Sequence, residues 1–388
     1  MKRFAAVALA LAASRVSADP LRLRADALAT TQSPAGLVML EADAKASATI
    51  NAEAVLWTAA SPLPGQEAGD VLVMAVRART RDGRASGRIG RFVATLGALR
   101  PVHLDGAAGR VRLPHRFDVE AYAGVPVMPG LATDRAWDWA AGGRVSRRLG
   151  DFGSVGVAML EQRDAGKLAT REVGVDAGLQ LDKHDDLGAR FAYDLANPGI
   201  ADVGGSVIRR DGKLRGELYG GYRAASHLLP ATSLFTVLGD TPSSRAGGIL
   251  SGRVAPRLEV GGDMGVRGAG GDIAPALALR TRLALDDKFA SAISGELRRD
   301  GLGEDKWSGA RVAARIALPY SFTAASEVEV VVPDVDRGRG RVWPWALAAL
   351  AWDHGPWHAA AAVEASASAE YRRRIDALFT LGRQWGAP

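Results

Sequence analysis

From residue 19 onward the chain is written in runs of ten to fourteen residues in which apolar side chains alternate with polar or small ones, and turn signals separate the runs. Between 276 and 286, Leu277, Leu279, Thr281, Leu283 and Leu285 share one face, while Ala276, Ala278, Arg280, Arg282 and Ala284 share the other. A period of two is the spacing of an extended strand, whose successive side chains point to opposite sides of a sheet. Leu72, Met74, Val76 and Ala78 oppose Arg77, Arg79 and Arg81 in the same way. Ala310, Val312, Ala314 and Ile316 oppose Arg311, Ala313 and Arg315, and Val119, Ala121, Ala123 and Val125 oppose Asp118, Glu120 and Tyr122. Asp82-Gly83, Asp211-Gly212 and Asp300-Gly301 between runs are hairpin dipeptides. The 46 glycines are too many for helices and suit a sheet that must curve. The chain therefore predicts one large antiparallel sheet.

The length of the runs decides which kind. Strands of soluble sandwiches average ~5–6 residues, whereas a tilted strand needs ~9–11 to cross a bilayer. Leucine on one face and arginine on the other fits a closed barrel whose apolar side meets lipid and whose polar side lines a wet lumen. No stretch after residue 19 approaches the ~18 uninterrupted apolar residues of a membrane helix. The expected fold is all-β: a single transmembrane antiparallel β-barrel over residues 19–388. By eye the alternation marks about 21 runs. Single-chain bacterial barrels have even strand numbers, so at least one run is misread, around 84–116 or 245–269. At about twenty residues per strand and turn the expectation is about 18 strands, with 16 to 20 open.

The first residues read differently. Lys2 and Arg3 precede an apolar stretch from Phe4 to Ala13, and Val16-Ser17-Ala18 places small residues where a signal peptidase reads, so residues 1–18 are expected to be a cleaved signal peptide. Cleavage removes Lys2, Arg3 and Arg15 and lowers the formal net charge from +6 to +3. With no dense basic tract left, nucleic acid is not an expected partner. Cysteine is absent, so the fold must close by hydrogen bonding and not by cross-links. Trp137, Trp139, Trp307, Trp343, Trp345, Trp352 and Trp357 all lie near proposed turns, where aromatic girdles meet the membrane interfaces. The competing reading makes them ordinary core tryptophans.

At the C-terminus Ile375, Ala377, Phe379 and Leu381 alternate with Asp376, Leu378, Thr380 and Gly382 and lead to Trp385. The segment Thr380-Leu381-Gly382-Arg383-Gln384-Trp385 resembles the assembly signal of Gram-negative outer-membrane β-barrels, with Thr380, Gly382 and Trp385 as its elements. It departs from that pattern in having Ala387 and Pro388 where a terminal aromatic is usual. The stretch from Gly90-Arg91-Phe92 through Leu104-Asp105-Gly106 to Ala123-Gly124-Val125-Pro126 resembles porin-like barrels, in which a strand is followed by a loop that folds toward the lumen. The resemblance implies an outer-membrane location, with membrane lipid and the barrel-assembly machinery as partners, and a channel instead of an enzyme.

Within such a lumen, Arg77, Arg79 and Arg81 and the group Arg280, Arg282, Arg311 and Arg315 are the candidate anion-facing wall, with Glu120 among the acids opposite. The same residues also suit a lumen sealed by compensating ion pairs. Two longer segments, Arg100 to Arg116 and His227 to Ser244, read either as loops that fold inward or as plain surface loops. In the first case His103, Asp105, Arg110 and Arg112 stand near a constriction. Asp353-His354 pairs a carboxylate with an imidazole, but Gly355-Pro356 makes the site a tight turn and no nucleophile motif accompanies it. Neither catalysis nor a cofactor or metal is expected, and the acids of 182–186 and 334–336 read as solvated turns. The leading expectation is a porin-like channel for small hydrophilic solutes, anions among them. The alternatives are an export barrel for a surface polysaccharide, working with periplasmic or outer-membrane partner proteins, and a non-conducting structural barrel of an envelope complex. No globular plug is read ahead of the first run, so a TonB-type transporter is not expected.

Overall fold

The computed structural model describes residues 21–30, 35–45, 47–60, 68–127, 137–224, 242–335, 342–368 and 373–385. The signal peptide read at 1–18 and most of the segment from His227 to Ser244 lie outside the described residues. The wall begins with β1 (Leu21–Thr30), β2 (Ala35–Lys45), β3 (Ile50–Ala60), β4 (Ala68–Arg79), β5 (Ala85–Ala94), β6 (Val102–Arg112), β7 (Phe117–Pro126) and β8 (Trp137–Arg148). It continues through β9 (Gly153–Asp164), β10 (Lys167–Gln180), β11 (Asp185–Asp194), β12 (Gly199–Asp211), β13 (Leu214–Arg223), β14 (Ser243–Ala255) and β15 (Leu258–Ala269). It ends with β16 (Asp272–Ala284), β17 (Ala292–Asp300), β18 (Trp307–Ala317), β19 (Phe322–Pro333), β20 (Trp343–His354), β21 (Trp357–Ser366) and β22 (Arg374–Trp385). Each strand pairs antiparallel with the next, and β22 returns to β1 in the register Leu21↔Trp385 to Thr30↔Asp376, so the sheet has no free edge.

The barrel therefore has 22 strands, and the expectation of about 18 is corrected. The strands have the expected membrane length, from 9 residues in β17 to 14 in β10. The error lay in the allowance for turns. Ala165-Gly166 joins β9 to β10 with φ of 50° and 73°, and both residues of Gly270-Gly271 also have positive φ, the geometry of a two-residue hairpin turn. Connections at the end holding Leu21 and Trp385 are mostly short, as at Gly212-Lys213 and Gly355-Pro356, while the longest, 127–136, 224–242 and 334–342, lie at the other end. This is the asymmetry between periplasmic turns and surface loops, and it puts the Leu21–Trp385 end at the periplasm.

The outer face is an apolar belt. Val157, Leu218 and Met264 are 61%, 69% and 71% exposed, because what surrounds them in the barrel's setting is lipid. The residues between them on each strand face inward. The buried cluster of Phe92, Leu96, Leu99, Val102, Leu104, Tyr122, Ala140, Ala158, Leu160 and Ala192 lies on this inner side, against β7 to β11. A lumen holds a dry core only where something covers it, and here the cover is the tip of the β5–β6 hairpin.

Two further readings are corrected by the register. The segment from Arg100 to Arg116 is not a loop: residues 102–112 form β6, paired with β5 from Ala85↔Val111 to Ala94↔Val102. Not all the tryptophans form a girdle. Trp139, Trp352, Trp357 and Trp385 fall on the outward face, but Trp307 shares the inward parity of Arg311, and Trp343 and Trp345 sit opposite Val331 and Glu329 on the inward face of β19.

Candidate functional site

The lumen is shaped by the departure of one hairpin from the wall. Pairing between β4 and β5 stops at Met74↔Arg91, yet β5 and β6 stay paired beyond that point to Ala94↔Val102. The bend is at Gly90, whose φ of 125° only glycine adopts freely and where a Cβ would run into the Met74 carbonyl. Beyond it the hairpin leaves β4 with unpaired carbonyls. Side chains take them: Arg91 donates to Val71 O at 3.0 Å, and His103 donates from Nε2 to Leu72 O at 2.7 Å. Arg91 also forks onto Asp105 at 2.7 and 2.8 Å and reaches Asp70 at 3.0 Å. His103 and Asp105, expected at a constriction, thus belong to the seam where the hairpin bends out of the wall.

The tip, residues 95–101, is what enters the lumen. Leu96 sits over Gly142 of β8 and Leu99 over Gly174 of β10, where the missing side chains leave room. Gly97, with φ of 54°, rests directly on the pair of Arg144 and Asp176. Arg100 donates from Nε to Glu172 Oε1 at 2.7 Å, and Glu172 is wholly buried. An apolar tip carrying one arginine, docked on a wall of small residues with one glutamate beneath, is specific in both shape and charge. Sequence reasoning missed Leu96, Gly97, Leu99 and Arg100. The available signal was the loss of alternation over Leu96-Gly97-Ala98-Leu99, an apolar run too short to span and too apolar for a solvated turn.

Of the seven arginines read as an anion-facing wall, three, Arg77, Arg280 and Arg311, are neutralised across strands. Arg77 pairs with Glu53 at 2.7 Å, and Arg88 reaches the same carboxylate. Arg280 pairs with Glu296 at 2.9 Å and Arg311 with Glu327 at 2.6 Å, with Arg298 on Glu329 between them. Glu120 receives Arg144 at 3.0 Å, and Arg144 also holds Asp176 at 2.6 Å. Arg282 and Arg315 have no carboxylate partner among the described residues. Arg79 turns to Ala48 O at the strand end, and Arg81 lies in the turn after β4, so these two stand at the periplasmic rim. Arg110 and Arg112 are near that rim as well, at 3.3 and 3.7 Å from the buried Asp118, which Arg148 also approaches at 3.3 Å.

One lumenal recess of about 860 Å³ is lined by Lys213, Arg215, Arg253, Arg280, Arg282 and Arg311. Arg215, Arg253, Arg280 and Arg311 are paired with Glu217, Glu259, Glu296 and Glu327, which leaves Arg282 as its arginine without a carboxylate partner among the described residues. At the β20–β21 turn, Asp353 accepts from His358 Nδ1 at 2.6 Å, while His354 stacks on Trp352. On the closing strand Thr380 is buried inward, Gly382 faces Arg24 and His358 in register, and Trp385 is outward. The Arg383 guanidinium lies 4.7 Å from the ring centre of Trp357 and 4.8 Å from that of Trp385, a cation between two aromatic faces at the lipid boundary.

No protein-family model matches the chain, and no curated protein matches it in sequence. Among solved structures, the P pilus usher (PapC) translocation pore superposes with a TM-score of 0.58 at 7% identity, covering 95% of this chain and 100% of that one. A crystal structure of the usher PapC translocation pore gives a TM-score of 0.53 at 7% identity, over 95% and 99%. PapC also matches within the cryo-EM structure of an E. coli P pilus tip assembly intermediate, PapC-PapD-PapK-PapG, with a TM-score of 0.57 at 9% identity, over 96% of this chain and 61% of that one. At such identities the likeness is one of fold. The closed 22-stranded wall, its apolar belt and its polar lumen make the chain a Gram-negative outer-membrane β-barrel of channel form.

Proposed function

We propose that the barrel is an outer-membrane export conduit for an extended polymer, a surface polysaccharide, delivered to it by periplasmic partner proteins. The observation that carries this reading is the width of a 22-stranded wall combined with a hairpin folded into its lumen. Side chains alone fill barrels of about eight strands, and much larger barrels hold an open or a plugged lumen. Among the described residues the hairpin covers only the β7–β11 side, and none of them covers the opposite wall. Along that wall, rows of paired arginines and acids offer donors and acceptors at small net charge, which suits a polymer dense in hydroxyls. The likeness of the whole chain to a translocation pore supports the same direction.

A second reading, a porin-like channel for small anions, is favoured by the recess lined by Arg215, Arg253, Arg280, Arg282 and Arg311. Deletion of the gene separates the two. The export reading expects loss of a surface polysaccharide with unchanged uptake of small solutes. Normal polysaccharide with slowed anion uptake overturns it. A strain normal in both, but lacking a stable envelope complex, favours the structural-barrel alternative.

A further inference from the structure

At the outer end of the lumen stand three tryptophans that the membrane-girdle reading assigned to lipid. Trp307 opens β18 and Trp343 and Trp345 open β20, and β19 lies between them. The register sets out two rows across four strands. In the first, Arg298 of β17 faces Gly309 of β18, then Val331 of β19, then Trp343 of β20. In the second, Glu296 faces Arg311, then Glu329, then Trp345. Residues directly opposite in an antiparallel ladder share a face. Arg311, Glu296 and Glu329 are held to their partners inside the lumen, so both rows are inward.

The rings are not scattered. A Cβ at Gly309 would meet the Trp307 ring at 3.0 Å, so that indole lies down over Gly309, beside Val331 and within two strand spacings of Trp343. The Arg298 guanidinium sits 4.7 Å from the Trp307 ring centre while also pairing with Glu329. All three tryptophans are half-buried and so keep part of their surface to the lumen. Ser366 follows Trp345 on the next strand. Two donors of the patch, Nε of Arg298 and Nε1 of Trp343, are buried without an acceptor among the described residues, and unsatisfied buried donors in a native wall call for an explanation.

We infer that Trp307, Trp343 and Trp345, with Arg298, Arg311 and Glu329, form a lumenal binding platform for pyranose rings of an uncharged oligosaccharide. Indole faces carry the negative side of the ring quadrupole and match the axial C–H face of a pyranose. The arginines and Glu329 supply donors and acceptors at the edge of the rings for equatorial hydroxyls. The three arginines Arg280, Arg298 and Arg311 are balanced by Glu296, Glu327 and Glu329, so the patch has no net charge to recruit an ionic ligand. Aromatic platforms with a few fixed polar groups are the usual make-up of sites that orient a ligand. The inference rests on the export reading and adds to it the class of sugar and the place where it is held.

The test is equilibrium binding to the purified full-length barrel in detergent, using maltohexaose, cellohexaose and chitohexaose as probes and polyethylene glycol of similar mass as the control. Binding of at least one hexaose, with a loss of tenfold or more in W343A/W345A and in W307A, is the expected result. W345F, which keeps an aromatic face, is expected to retain most of it. Heat-modifiable mobility on semi-native gels checks that each variant is a closed barrel. A wild-type barrel that binds no hexaose better than polyethylene glycol overturns the inference, as does a folded W343A/W345A/W307A variant that binds unchanged. The deletion strain tests the export reading separately: sugar binding in a protein whose loss leaves the surface polysaccharide intact sinks export and not the platform.

Discussion

Arg100 and Glu172 are 72 positions apart in the chain, and their ion pair is the polar anchor that holds the inward hairpin against β10. Both side chains are buried, so neither has water to fall back on. Removing one partner of a buried pair typically costs about 3–5 kcal/mol, because the other charge is stranded. Arg100→Ala and Glu172→Ala are each expected to undock the tip and raise single-channel conductance in planar bilayers. The reversed pair R100E/E172R is expected to recover the smaller conductance. Equal conductance in all four proteins would show that the pair does not hold the hairpin.

The two positive-φ glycines of the hairpin, Gly90 and Gly97, differ in what they permit. Gly90→Val places a Cβ against the Met74 carbonyl at a positive φ, so it is expected to lower the yield of folded barrel. Gly97→Val collides with the side chains of Asp176 and Arg144 and not with the backbone of the wall. It is expected to fold, show a heat-modifiable band and become susceptible to proteases between residues 95 and 101.

Charge in the lumen should act according to pairing and not according to number. Arg282 and Arg315 lack a carboxylate partner among the described residues, whereas Arg280 and Arg311 have one. In a salt gradient, R282E and R315E are expected to shift the reversal potential toward cation preference more than R77E, whose site already carries Glu53. A larger shift from R77E would count against this account of selectivity.

The turn from β16 to β17 provides a pH-sensitive clip outside the membrane. The Asp286 carboxylate is held below its usual range first by the Ala290 N–H at 3.1 Å, against the opposing effect of burial, and then by Ser291 at 2.6 Å and Lys288 at 2.9 Å. A lowered folded-state pKa means that the contribution is complete above the ordinary carboxylate value of 3.8 and is lost as pH falls through the lowered one. Amide-exchange protection at Lys288, Ala290 and Ser291 is therefore expected to persist through mild acid and to vanish only below about pH 3.8. Asp286→Asn is expected to weaken it at neutral pH and to remove the acid transition.

The closing strand carries the residues read as an assembly signal. Trp385→Ala removes one of the two rings that enclose Arg383. It is expected to slow the appearance of heat-modifiable barrel in membranes more than Trp352→Ala, an outward tryptophan away from the seam between β1 and β22. Identical assembly rates would argue that the resemblance at 380–385 has no role in assembly.

Period-two alternation was enough to identify strands, their membrane length and the inward face of Arg280, Arg282, Arg311 and Arg315, because a strand's side-chain direction is a local property. It was enough for Trp307 too, which shares parity with Arg311 and Arg315; its nearness to a turn was simply the weaker signal. The count was harder to read. β14 and β15 are rich in glycine at Gly247, Gly248, Gly261, Gly262 and Gly265, and a residue without a side chain marks neither face.

By itself, then, the sequence determined that this chain closes a membrane sheet with lipid outside and charge inside, since burial and backbone hydrogen bonding in a bilayer allow little else. Only the tertiary structure decided that β5 and β6 bend away from β4, because an extended strand has the same alternation in a wall or folded across one. The bend depends on contacts that no local pattern contains: Leu96 over Gly142, Leu99 over Gly174, and Arg100 on Glu172. Likewise the placement of Trp307, Trp343 and Trp345 on one inward face is set by the register of three strands, and register is a relation between strands and not a property of any one of them.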